Sequence, residues 1–143
     1  MASLKDVEIR SLTPHRDARG GLVKILMRHH LPQGQQTFGE IYISWAAPGA
    51  VKANHYHRET HEWFCLLLGE IELVLEDPET GERRVLHLRA EDPKVVMVPP
   101  GIAHAFRNVG NGEAHLLAYA DRPYDAAHPD TIPYQVIRPK HDE

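Results

Sequence analysis

The stretch GAVKANHYHRETHEWFCLLLG, Gly49 to Gly69, sets His55, His57, His61 and Glu62 between two glycines. His55 and His57 lie one residue apart, so on an extended strand both side chains leave the same face and can grip one ion, while Tyr56 points away. The residues RETH that follow leave room for a tight turn, which would bring the Glu62 carboxylate back to the two imidazoles. Near the other end of the chain, PPGIAHAFRN supplies His104 just past a Pro-Gly turn as a fourth ligand. Three imidazoles and a carboxylate suit a divalent transition metal, Zn before Fe, Mn or Ni, and ligand type alone does not choose among them. His61 adjoins Glu62 and on an extended segment faces the opposite side.

Outward from this stretch the chain reads as β. Strong helical periodicity is missing, and short alternating or apolar runs recur between turn signals. VEIRSL forms an N-terminal strand, DARGG a turn, and LVKILMR a strand with Val23, Ile25 and Met27 on one face. FGEIYISWA, WFCLLL, IELVLED, RRVLHL, VVMV, AHAFRN and AHLLAYA supply the rest. The last of these places His115, Leu117 and Tyr119 on a shared face, expected to be the inner one. Some ten short strands, a number consistent with this segmentation, point to an antiparallel sandwich or barrel with the ligands inside. From about residue 122 the Pro-rich tail reads as an irregular arm.

The 143 residues, 42% of them hydrophobic, suffice for one domain with one core, taken as residues 1–143. With 16 Lys and Arg against 20 Asp and Glu, the net charge of −4 and the lack of a basic cluster argue against nucleic acid as a partner. No signal region opens the chain, and the apolar run Trp63 to Leu68 is too short to span a bilayer, so the expectation is a cytoplasmic protein with no membrane partner. Cys65, the only cysteine, reads as a packed thiol.

The spacing Gly49, His55, His57, Glu62, Gly69 resembles the first motif of the cupin superfamily. Pro99, Gly101, His104 and Asn108 resemble the second, although Pro93 stands where that motif opens on glycine. The resemblance covers about residues 17 to 120 and implies an all-β fold, the cupin double-stranded β-helix or jelly-roll barrel. Finer likeness, at Asp17-Ala18-Arg19-Gly20, His55-Tyr56, VPPGIAHAF, and Tyr119 followed by Tyr124, is to sugar-nucleotide epimerases of the dTDP-4-dehydrorhamnose 3,5-epimerase type. Closer still is the C-terminal cupin domain of bifunctional capsular-polysaccharide enzymes, which share the HYH and Glu spacing and a late Pro129-Asp130-Thr131.

These likenesses imply an isomerase acting on a nucleotide-linked 4-keto sugar in polysaccharide or deoxysugar synthesis, as a homodimer. The resemblance makes Tyr119 the catalytic acid and Arg19, Lys52 and Tyr124 substrate contacts. Rhamnose-type epimerases have lysine where this chain has Glu62. His55 serves as a base only if no metal occupies it, since one ring nitrogen cannot do both. A metal-dependent phosphosugar isomerase, a non-catalytic cupin binding sugar or metal, and a metal-dependent dioxygenase stay open as alternatives.

Overall fold

The computed structural model describes residues 2–138 as twelve strands: β1 (Glu8–Ser11), β2 (His15–Asp17), β3 (Gly20–Leu22), β4 (Glu40–Ala46), β5 (Val51–His57), β6 (Glu62–Leu68), β7 (Glu70–Glu76), β8 (Arg83–Arg89), β9 (Lys94–Val98), β10 (Ala103–Asn108), β11 (Ala114–Ala120) and β12 (Thr131–Pro133). They form two five-stranded antiparallel sheets, ordered β1-β9-β6-β11-β4 and β12-β5-β10-β7-β8, with β2-β3 as a separate hairpin. This is the cupin jelly-roll barrel. No helix among the described residues is long and apolar enough to cross a membrane.

Alternation in the sequence builds the core between the sheets. Phe64, Leu66, Val96, Val98, Leu116 and Ala118 face inward from the first sheet and meet Ile71, Leu73, Leu75, Leu88 and Phe106 from the second. Glu70, Glu72 and Glu76 alternate with these apolar positions on β7, as the pattern requires. Burying each large side chain is worth about 1.5–3 kcal/mol, which fixes the register, because a slip by one residue would turn the whole set outward. Gly69 links β6 to β7 at φ +91°, and a Cβ there would lie 2.8 Å from the Glu113 carbonyl oxygen. That corner therefore requires glycine.

The outer face of the first sheet carries a second cluster of Trp63, Cys65, Val95, Met97 and Tyr119, covered by Leu12, Ile25, Leu26 and Leu31. Cys65 is the packed thiol expected, and burial pushes its pKa up. The strand expected over LVKILMR is not formed beyond Leu22. Ile25 and Leu26 are adjacent yet pack into the same cluster, which strand alternation forbids, and the Ile25 carbonyl accepts from the Arg10 side chain at 2.8 Å rather than from a ladder.

The C-terminal arm is less irregular than its prolines suggest. β12 pairs with β5, with Thr131 opposite His57 and Pro133 opposite His55. Beyond it Val136 and Ile137 pack on Val74, Ala103 and Ala105, closing the outer face of the second sheet.

Candidate active site

The HYH segment reaches the barrel interior through a β-bulge. Along β10, His104 pairs with His55 while the next residue, Ala105, pairs with Ala53, leaving Asn54 as the extra residue. Ala53 and Asn54 hold left-handed φ values of 75° and 59°. The Asn54 side chain uses the bulge: its Oδ1 accepts from the Val136 and Ile137 amides at 2.8 and 2.9 Å, and its Nδ2 donates to the Ile137 carbonyl at 2.9 Å. Past the bulge the alternation expected for His55, Tyr56 and His57 holds, with Tyr56 packed against Tyr134 on the outside.

His55, His57, Glu62 and His104 converge: one ligand atom from each lies within 4.8 Å of all the others. Glu62 opens β6 and His104 is the second residue of β10, both 2% exposed. The Glu62 carboxylate takes His57 Nε2 on Oε1 at 2.8 Å and the Tyr42 hydroxyl on Oε2 at 2.6 Å. His61, as expected, faces the other way, stacks on Trp63 and holds the buried Asp121 through Nδ1 at 2.9 Å.

His104 tests whether this group suits a metal. Its Nδ1 lies 3.4 Å from the Ile102 carbonyl, which can only accept, so Nδ1 carries the proton. A neutral ring then turns a bare Nε2 lone pair toward Glu62 Oε1 at 3.3 Å, acceptor against acceptor, and that buried nitrogen has no hydrogen-bond partner. A cation between the two would satisfy both, and the donor set of three imidazoles and one carboxylate fits a divalent transition metal.

Electrostatics hold His55 and Glu62 in ligand-ready states and leave His57 with a proton to give up. Burial, with the neighbouring His104 and His57 imidazoles disfavouring a further positive charge, brings the His55 pKa down to about 4, so the ring is neutral. Burial works to raise Glu62, but the two histidines that face it, His104 and His57, outweigh burial and hold the carboxyl well below its usual range. Burial alone would lower His57, yet the Glu62 contact, with Asp130 and Asp121 behind it, carries it above the ordinary histidine value. Burial and then the Glu62 charge push the Tyr42 hydroxyl far up.

A cavity of about 600 Å³ opens over these residues, lined by His55, His57 and Glu62 from the barrel, Tyr42 from β4, and Tyr124 and Thr131 from the arm. Of the sequence-derived substrate contacts it contains Tyr124, whose amide donates to Glu40 Oε1 at 2.8 Å. Arg19 sits on the exposed β2–β3 hairpin, paired with Asp17 at 2.7 Å, and Lys52 donates to the Trp45 carbonyl at 3.1 Å; neither lines the cavity. Tyr119 corrects the expected face of β11. The inward residues there are Leu116 and Ala118, so Tyr119 packs outside the barrel with Trp63, and its hydroxyl accepts from the Gly39 amide at 2.9 Å. His115 is on that outer face too, beside Trp45.

Tyr42 was missed by the sequence reading. The alternation of EIYISWA puts Glu40, Tyr42 and Ser44 on one face and Ile41, Ile43 and Trp45 on the other, and usual practice buries the apolar set. Here the apolar set is exposed, and Glu40 and Tyr42 of the polar set line the cavity.

The family model of the polysaccharide biosynthesis C-terminal domain matches residues 15–132. The chain belongs to that family. Within the polysaccharide biosynthesis C-terminal domain family, a relative from Haloferax volcanii, a probable low-salt glycan biosynthesis epimerase, is 30% identical over 142 residues, covering 94% of this chain and 90% of its own. The crystal structure of a dTDP sugar isomerase from Desulfovibrio desulfuricans is similar with a TM-score of 0.77 and 23% identity, over 99% of this chain and 91% of that one. The capsular polysaccharide assembling protein CapF of Staphylococcus aureus is similar with a TM-score of 0.68 and 22% identity, over 87% of this chain. This chain spans 34% of the CapF chain, and at these identities both structural likenesses speak for the fold.

Proposed function

We propose that the protein is an isomerase that epimerises a carbon next to the ketone of a nucleotide-linked 4-keto sugar, in polysaccharide or deoxysugar synthesis, with His55, His57, Glu62 and His104 holding a divalent transition metal, Zn first. The observation that carries this reading is the convergence of that ligand group with two tyrosines, Tyr42 and Tyr124, on one cavity of about 600 Å³, within the usual range for small-molecule sites. The epimerase relative matched over nearly the whole chain supports the reaction class.

The acidity of a proton beside a ketone sets what the site must do: stabilise an enolate oxygen and return a proton to the other face of the carbon. A bound divalent ion would supply Lewis-acid stabilisation of the developing oxyanion. The chain's own residues then position the sugar and move the proton. With His55 committed as a ligand, the proton leaving carbon passes to a carboxylate on the cavity wall, Glu40 of β4, and a cavity tyrosine returns one to the other face. Tyr42 is tied to Glu62 and holds its proton tightly. Tyr124 is 67% exposed and lines the cavity, and it takes the acid role that the resemblance gave to Tyr119. The outward face of edge strand β4, with Ile41, Ile43 and Trp45 exposed beside Phe38, supports a homodimer, because a sheet edge with such a face invites a partner. A cytoplasmic location goes with this substrate class.

The test is turnover of a panel of dTDP- and UDP-linked 4-keto-6-deoxy sugars by wild type, Tyr124→Phe and Tyr119→Phe. Loss in Tyr124→Phe with activity kept in Tyr119→Phe is expected; the reverse would sink the assignment.

A further inference from the structure

The late Pro129-Asp130-Thr131 run lies against the ligand group without belonging to it. The five bonds that converge on Asp130 are its distinctive feature. Its Oδ1 accepts from the Arg58 and Glu59 amides, both at 3.1 Å; its Oδ2 accepts from the Glu59 amide at 3.1 Å, the Thr60 amide at 3.0 Å and the Thr60 hydroxyl at 2.6 Å. Those residues are the turn that joins His57 to Glu62. Without such a clamp a turn of that length leaves the angle between two ligands free, and ligand geometry held loosely loses affinity.

Thr131, one residue on, stands opposite His57 in the β12–β5 register, with its hydroxyl 3.4 Å from His57 Nδ1. The other ring nitrogen, Nε2, faces Glu62. A neutral ring that donates through Nε2 to the carboxylate has Nδ1 free to accept from the hydroxyl; an imidazolium, or a ring that gives Nε2 to a cation, carries a proton on Nδ1 and donates to the hydroxyl instead. A hydroxyl can take either part, whereas a carbonyl could take only one.

We propose that Asp130 and Thr131 are positioning residues for the His57 and Glu62 half of the ligand group: Asp130 clamps the connecting turn, and Thr131 holds the His57 ring in whichever proton arrangement it adopts. The cation half of this proposal rests on the metal reading above. Partners of this kind are worth about 10- to 100-fold in metal affinity.

The experiment uses the full chain and its variants Thr131→Val, Thr131→Ser and Asp130→Asn. Zn²⁺ binding is measured by calorimetry, and the imidazole nitrogens and backbone amides of the metal-free protein by NMR. Thr131→Val should weaken Zn²⁺ binding about tenfold or more and shift the His57 ring nitrogens, Thr131→Ser should restore both, and Asp130→Asn should speed amide exchange at residues 58–60. A Thr131→Val protein with His57 ring signals unchanged, or an Asp130→Asn protein with exchange at 58–60 unchanged, overturns the proposal. If wild type binds no Zn²⁺, the metal reading fails by itself, and the metal-free NMR signals still decide the positioning claim.

Discussion

Glu62→Gln should destabilise the metal-free protein, and the structure sets both the size and the pH window. The substitution keeps the shape and removes the charge. Two charge-assisted hydrogen bonds are affected, from His57 at 2.8 Å and Tyr42 at 2.6 Å. Bonds to charged groups are worth about 1.5–3 kcal/mol against about 0.5–1.5 for neutral ones, so the two together lose about 2–3 kcal/mol, or about 6–12 °C in melting temperature for a domain of this size. Because Glu62 is depressed in the fold, its contribution is complete above the unfolded carboxylate value near about 4.3 and disappears as pH falls through the folded one. His57 is raised, so its share is complete below its unfolded value of about 6.5 and is lost as pH rises through the folded one. The gap between wild type and Glu62→Gln should therefore be widest between about pH 4.5 and 6.5. Thermal melts followed by circular dichroism in chelator across this range measure it. A variant that melts with or above wild type at every pH would refute the reasoning, and would mean that burying the carboxylate costs more than its partners return.

Three further outcomes follow from the same geometry. Free Zn²⁺ at a thousand times Kd should add about 4 kcal/mol of stability and raise the melting temperature accordingly, and His104→Ala should abolish the effect. Apparent Zn²⁺ affinity should rise with pH until the elevated His57 value is passed, since that ring must release a proton to bind; calorimetry on either side of neutrality checks the sign. Replacing Ile43 and Trp45 together with lysine should convert the proposed homodimer to monomer in light scattering without loss of the fold, because both side chains are exposed on the outer face of β4.

How much of this was legible beforehand depended on spacing. The ligand group could be read because HxH needs only strand alternation, and Glu62 and His104 follow turns marked by Thr, Pro and Gly. The barrel was legible from the alternation on β7 and the apolar runs of β6 and β9. Misses came where the alternation of a strand did not say which of its two faces was the inner one. β4 turns Glu40 and Tyr42 to the cavity and its apolar residues outward, hiding Tyr42, and β11 buries Leu116 and Ala118 in the barrel while Tyr119 packs outside. The bulge at Ala53 and Asn54 was invisible too: it depends on Asn54 capturing backbone groups 82 and 83 residues away. Residues 23–27 misled for a similar reason, since their apolar spacing serves a cover over the sheet and not a place within it.

Solvent deuterium incorporation tests the central claim most directly. The Zn²⁺-loaded protein is incubated with nucleotide-linked 4-keto-6-deoxy sugars in deuterated water, and the carbons flanking the ketone are followed by NMR. The account predicts deuterium at the epimerised carbon with wild type and none with Tyr124→Phe. Wild-type protein that binds Zn²⁺ yet places no deuterium in any of these sugars would contradict it.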